Sequence, residues 1–558
     1  MKRMKKAVAM LLVLIMTGSL LSGCGNSKGK MIELTIYSQL ANYSGYMEGW
    51  FAKILEERWN VRVNLQPESG GVFDTRMEAG DLGDIVILGD DGAKYVQAIN
   101  AGLLYDWEED NLVQEYGPYI WEHMQDALEK NRIVSGDGHV HGFGHNVASS
   151  SESHAAFFYT WDVRWDLYEQ LGHPAVNNLD DLMKVLEDMQ ALAPTGDDGN
   201  KTYAMSLWPD WDGNYVMYVK AMATAYYGYD EFGFGHYNPQ TGEYYDALED
   251  GSPYLEMLAW FNQLYRKGLL DPDSMTQKYD EMIEKVQNGR VLFSIFDYAG
   301  SAGFNNEEHY KQNQIMLPLV PTEASPIVAG LSTLGGNRVW CIGAKTQYPE
   351  LCMEIINWLC TPEGVLTMEY GPKGLTWDYD ENGKTYLTEF GTQCIEDRTT
   401  IMPDDWGGAT FNDGAFQPNN RTFDLADMNP ESGEPYDRQY WASYLSPEGR
   451  CDAERDWRAL TGAETVQGYM DARGKFMVDV PTSYSASEMS TDLENIQGQI
   501  KKLLKLESWN AVYASSDEDF KKIVDAMREQ AYAYGYEQCL AYYINEAKIK
   551  NELQAPLR

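Results

Sequence analysis

The sequence predicts an α/β protein built on an open, mostly parallel sheet. Three segments near the start carry this prediction. Ile32–Ser38 alternates apolar and polar residues at period two, as a half-buried strand does. Val61–Leu65 repeats that alternation. Asp84–Gly89 is apolar between its ends, as a strand covered on both faces would be. Between the first two, residues 44–59 read as an amphipathic helix with Met47, Trp50, Phe51, Ile54 and Leu55 on one face. A helix over about 92–101, stopped by Gly102, follows the third strand. Strands alternating with helices argue a parallel sheet. Ligands of such sheets bind beyond the carboxyl ends of the strands. That rule places Tyr37, Ser38 and Gln39, with Gly89, Asp90 and Asp91, at the rim of a site.

The 558 residues suggest two to four domains at roughly 150 residues each. Lys2, Arg3, Lys5 and Lys6 precede an apolar run from Ala7 to Leu21, which ends in Leu21-Ser22-Gly23-Cys24. This layout is that of a secretory signal over 1–23. A Cys directly after Ser-Gly resembles the bacterial lipobox, in which that Cys becomes the lipidated N-terminus. Residues 24–30 then serve as lipidated Cys and polar tether, and acyl chains anchor at about 0.8 kcal/mol per buried methylene. The expectation is an exported chain, lipid-anchored to the outer face of the cell membrane. A net charge of −41 repels nucleic acid and excludes it as a partner. Removing Cys24 from the seven cysteines leaves an even number, whose spacing forces no disulfide and shows no C-x-x-C pair. Aromatic residues make up 13% of the chain, and many lie in polar loops where a sugar ring could stack.

Further along, residues 137–146 read as a Gly-rich hairpin, Ala155–Tyr159 as a strand and Asp162–Leu171 as a helix. Helices are expected over 179–193, 214–227, 253–267 and 277–288. Ser252, Pro253 and Gly268 supply the N-cap, N1 residue and stop of the third. Arg290–Phe296, Ile315–Val320 and Arg338–Gly343 read as strands, and 348–360 and 362–370 as helices. Residues 371–485 are aromatic, polar and weakly periodic, which marks a functional loop region. Long helices return at 488–506 and 517–546.

Several of these segments resemble the carbohydrate-type extracellular solute-binding lipoproteins of ABC importers (family 1, LplA-like). They are the lipobox, Leu34–Tyr37 and the strand Asp84-Ile85-Val86. Others are Asp137-Gly138-His139-Val140-His141-Gly142, Trp161–Gly172, Asn288-Gly289-Arg290-Val291 and Pro349–Gly364. Their order over about 30–370 carries the resemblance. It implies a two-lobed periplasmic-binding-protein-like fold of type II, with open sheets flanked by helices and a hinge crossed more than once. The expected division is 31–155 plus about 293–345 for lobe 1, and 156–292 plus about 346–558 for lobe 2, with the insert at about 371–485. A monomer that meets ABC permease subunits is implied.

Candidate contacts follow from residue types. Trp208-Pro209-Asp210-Trp211-Asp212-Gly213-Asn214-Tyr215 puts two indoles, two carboxylates and an amide in one short turn. Asp212 or Asn214 could instead cap the following helix. Asp297 and Tyr298 end a predicted strand, where a carboxylate can accept hydrogen bonds from adjacent hydroxyls. Asn337, Arg338 and Trp340 begin another, and Trp377 and Trp406 lie in the aromatic insert. Asp378, Asp380, Asn382 and Glu389 match the fixed positions of an EF-hand calcium loop, but the same residues make an ordinary hairpin turn. His139, His141 and His145 could share a strand face as metal ligands, or lie in a solvated turn. No His-Glu-x-x-His, Gly-x-Ser-x-Gly or P-loop occurs. The expected function is non-enzymatic capture of an oligosaccharide and its delivery to a permease. The same fold binding a peptide or other polar solute, or a surface-anchored polysaccharide hydrolase or adhesin, fits the same residues.

Overall fold

The computed structural model describes residues 30–558, except 42, 70, 152–153, 336–337, 420–423, 447, 483, 485 and 488. The signal peptide, Cys24 with its tether to Gly29, and Asn337 therefore lie outside the described residues. Eight strands organise the fold: β1 (Ile32–Ser38), β2 (Val61–Pro67), β3 (Ile85–Leu88), β4 (Gly142–Gly144), β5 (Tyr159–Arg164), β6 (Phe293–Phe296), β7 (Met316–Pro318) and β8 (Val339–Ile342).

The first lobe is the sheet β2–β1–β3–β8–β4, with a short strand at Gly45–Tyr46 outside β2. β1 runs parallel to β2 and β3, and β8 runs antiparallel to β3 and β4. Period two sorts the side chains. Leu34, Ile36, Ile85 and Ile87 meet Trp50, Phe51, Ile54 and Leu55 of the helix Gly49–Trp59. Tyr37, Val86 and Leu88 meet Tyr95, Ala98 and Ile99 of the helix Ala93–Asn100 on the opposite face. Coverage on both sides is why β3 could be apolar at every position.

The lobe boundaries differ from those expected in two places. The helix Pro349–Cys360, assigned by sequence to lobe 2, lays Cys352, Ile355, Ile356 and Leu359 into the first-lobe core. β6, assigned to lobe 1, pairs with β5 and joins the sheet β6–β5–β7 of the other lobe. The helices Leu179–Leu192, Met217–Tyr227, Pro253–Arg266, Thr491–Val512, Asp517–Ala533 and Tyr536–Gln554 pack around that second sheet. By core membership, lobe 1 holds 30–147 with about 339–445, and lobe 2 holds 148–331 with about 451–558. The chain thus crosses three times between lobes, and the first two crossings pair through Ala148 N–H to Ser332 O and Ala155 N–H to Ala329 O.

Smaller revisions are local. The strand expected at 155–159 runs instead over β5, and its helix begins at Trp165. The expected 137–146 hairpin is a turn leading into β4, which pairs with β8. The insert is more ordered than its weak periodicity suggested. It has the hairpin Trp377–Tyr379/Thr385–Leu387, the helix Glu389–Glu396, and a small core of Tyr370, Trp377, Leu425, Tyr436 and Trp441. It docks on lobe 1 where Gly49 and Gly414 meet. A Cβ on Gly49, whose φ is +80°, would lie 2.3 Å from Gly414 Cα, so a larger residue cannot enter there. Cys341, Cys352, Cys360, Cys394, Cys451 and Cys539 are free thiols, all buried. Among the described residues no helix is long and apolar enough to cross a membrane.

Candidate ligand-binding site

A cavity of about 400 Å³ opens on the second lobe beside the hinge, lined by Phe158, Tyr159, Trp211, Met217, Ala221, Glu231, Phe296 and Tyr298. The backbone sets up this wall. Ser294 pairs with Asp162 but Phe296 pairs with Tyr159, so Thr160 and Trp161 together oppose the single residue Ile295. That extra residue is a β-bulge, and Trp161 absorbs it in the left-handed region at φ 59°. Beyond the bulge, Phe158 lies 5.2 Å from Phe296 between ring centroids, and Phe296 stacks on Tyr298 at 5.0 Å. Trp211 closes the array by stacking on Tyr279 at 4.6 Å. Trp211 is 50% exposed and Phe158 49%, although both are large and apolar.

Trp208 plays a different part from the one its sequence suggests. It is 1% exposed, and its ring stands edge-on beneath Trp211 at 5.4 Å. It supports the wall and does not face the cavity. The polar residues of the same turn fix its shape. Asp212 accepts from Met217 N–H at 2.7 Å and from Trp509 Nε1 at 2.8 Å, and burial lifts its carboxyl to about 6. Asn214 donates to Gly233 O at 2.8 Å, and Asp210 accepts from Tyr279 N–H at 3.3 Å. The N-cap of the helix Met217–Tyr227 is Val216, not Asp212 or Asn214; Asp212 instead ties the turn to the first N–H of that helix. Asp297 lies between two lining residues and accepts from Tyr298 N–H at 2.7 Å.

Most first-lobe candidates are turned inward. Tyr37 is 0% exposed and its hydroxyl donates to Glu68, which also accepts the N–H groups of Gly71, Val72 and Phe73. Burial, then the Glu68 bond, pushes the Tyr37 phenol upward. Ser38 is buried and accepts from Leu40 N–H, while exposed Asp90 accepts from Gly92 N–H. Trp340 is buried against His145 and stacks on Phe416. Trp377 is buried in the insert core with its Nε1 donating to Gly371 O. Trp406 packs half-buried against the first core. Each of Tyr37, Trp340 and Trp377 fills a core position, which corrects its reading as a ligand contact.

The calcium-pattern residues form the hairpin alternative: Asp380 accepts from the N–H groups of Asn382 and Lys384, and Glu389 opens the following helix. The three histidines do not converge. His139 meets Asp106, His141 bridges Asp137 and Tyr105 O, and burial drives His145 down to about 3. Asp106, Glu108 and His139 bring ligand atoms within 4.8 Å of one another, but Arg132 already pairs with Glu108.

Sequence reading missed Phe158, Tyr159, Phe296 and Glu231. Phe158 and Tyr159 looked like plain strand residues, and only the bulge reveals which way they turn.

No protein-family model and no curated protein sequence matches the chain. Solved structures do. An extracellular solute-binding protein from Bifidobacterium longum subsp. infantis is 14% identical with a TM-score of 0.57, covering 94% of this chain and 100% of its own. The S. pneumoniae ABC-transporter substrate-binding protein FusA, in complex with kestose, is 17% identical with a TM-score of 0.57 over the same shares. The alginate-binding protein AlgQ2, solved without calcium ion, is 17% identical with a TM-score of 0.54, covering 93% of this chain and 99% of its own. Sheet order, three hinge crossings and these likenesses agree that the chain has the two-lobed fold of ABC-transporter solute-binding proteins.

Proposed function

We propose that this chain captures an oligosaccharide between its lobes and delivers it to an ABC permease without chemically altering it. The carrying observation is the cavity wall, where five aromatic side chains surround one carboxylate. Apolar faces of sugar rings stack on such rings, and ring hydroxyls need placed acceptors. The kestose of FusA and the alginate of AlgQ2 are ligands of proteins with the same fold and support this reading. Closure about a hinge is the motion such a fold allows. In this reading Trp211, Tyr298 and Asp297 of lobe 2 meet the ligand, and lipid on Cys24 tethers the chain outside the membrane.

Calorimetric titration with oligosaccharides of graded length tests the proposal, beside a product assay on every binder. Binding without turnover is expected. Release of a new product would favour the hydrolase, and binding of peptides in place of sugars would favour the general solute receptor. Membrane fractionation of Cys24→Ala tests the anchor, and an unchanged distribution and mass would remove it.

A further inference from the structure

We infer that this site selects its saccharide by charge, accepting neutral or amine-bearing units and turning away uronic and sialic acids. The inference rests on the saccharide reading above. Among the residues lining the cavity, Glu231 is the only carboxylate and no lysine or arginine is present. Glu231 sits mid-strand in Asp230–Phe232, opposite His236, and its side chain is exposed to the cavity. Among the described residues none donates a hydrogen bond to its carboxylate. Burial pushes its carboxyl upward and the charge of Lys220 opposes that; Lys220 is 6% exposed and donates its Nζ to Gly233 O at 3.0 Å. That cation is held within the protein and is not offered to a ligand. Lys505, near the same turn, is directed to Asp212 O.

Two further features have the same sign. Asp297 stands between the lining residues Phe296 and Tyr298, and exposed Asp210 adjoins Trp211. The faces of aromatic rings carry negative potential and attract cations. A ligand carboxylate at roughly 6 Å from Glu231 would be repelled enough, at an effective dielectric of about 20, to lose more than tenfold in affinity. An ammonium in the same place gains both from the carboxylate and from the ring faces.

Matched pairs test this on the full chain. Oligogalacturonate is titrated against its methyl ester, sialylated against desialylated lactose oligomers, and N-acetylglucosamine oligomers against their deacetylated forms. In every pair that binds, the anionic member should be at least about tenfold weaker than its neutral partner, with the gap narrowing in high salt. The deacetylated oligomer should bind no more weakly than the acetylated one. Glu231→Gln should shrink the neutral-to-anionic ratio even where neutral affinity itself falls through loss of a hydroxyl acceptor, and Asp297→Asn should shrink it further. An anionic member that binds as well as its neutral partner overturns charge selection alone. A Glu231→Gln protein with an unchanged ratio does the same. If no saccharide of any charge binds, the saccharide reading fails and this one falls with it.

Discussion

The first lobe satisfies its own rim, whereas the second leaves part of its rim unsatisfied. At the carboxyl ends of β1 and β3, Glu68 takes the Tyr37 hydroxyl and three backbone N–H groups, Asp90 takes Gly92 N–H, and Asp91 pairs with Lys130. At the matching edge of the second lobe, Phe158 and Trp211 are half exposed and Glu231 faces open space. Large exposed rings gathered in one place mark a surface meant for contact. The rule that ligands sit at strand ends finds the edge of a cleft. In the proposed reading, the residues left to meet a ligand are those the protein has not already used.

The sharpest way to break this contrast is to remove the two indoles separately. Trp208→Ala leaves a cavity beneath the wall and should cost about 3–5 kcal/mol of stability, read by chemical denaturation. Trp211→Ala should leave the melting temperature nearly unchanged and weaken ligand binding by about 2 kcal/mol, roughly thirtyfold, read by calorimetry. If the two effects are exchanged, the assignment of support and contact is reversed.

Acid should separate the lobes next. In lobe 1, burial lowers His145 to about 3, so its neutral form is favoured and stability falls as pH drops below 6.5. Burial would raise Glu68, but the Tyr37 hydroxyl and the N–H groups of Phe73 and Gly71 outweigh it and hold the carboxyl down. That contribution is also lost in acid. In lobe 2, burial lifts Asp162 to about 7 and Asp212 to about 6. Their neutral forms are preferred, so stability rises as pH falls toward 4. His236, lowered to about 3 by burial and by Lys220, opposes them. Hydrogen exchange at pH 5 against pH 7.5 should therefore show lobe 1 opening more readily in acid and lobe 2 opening no more readily than at neutral pH. Asp162→Asn should remove a slope on the order of 1 kcal/mol per pH unit below 7. Equal responses of both lobes would refute the division. The smallest effect belongs to Tyr37→Phe, which should cost about 1 kcal/mol of stability and leave ligand affinity unchanged. A large loss of affinity would return Tyr37 to the site.

These contrasts also explain what could be read from the chain alone. The first sheet was legible because β1, β2 and β3 are local in sequence and their apolar period shows directly. The lobe assignment of β6 and of Pro349–Cys360 was not, because strands and helices buried in either core have the same composition. Trp211 and Tyr298 were legible as rings in polar turns. Trp208, three residues earlier in the same turn, gave the same signal, and burial separates them only in three dimensions. Phe158 and Phe296 gave no signal, since a bulge aims them, and Glu231 gave none because it comes from a separate hairpin paired at His236.

The bulge at Trp161 also bears on how quickly a ligand is held. Its register fixes Tyr159 against Phe296, and Phe296, Tyr298 and Phe158 are packed on one another before anything enters. The ordering entropy of this wall is thus met during folding and not at encounter. A preorganised wall needs little rearrangement on capture, so variants that disturb the bulge, such as Trp161→Val, whose branched side chain resists a φ of 59°, should slow association more than they hasten release. The site would keep its residues and lose its readiness.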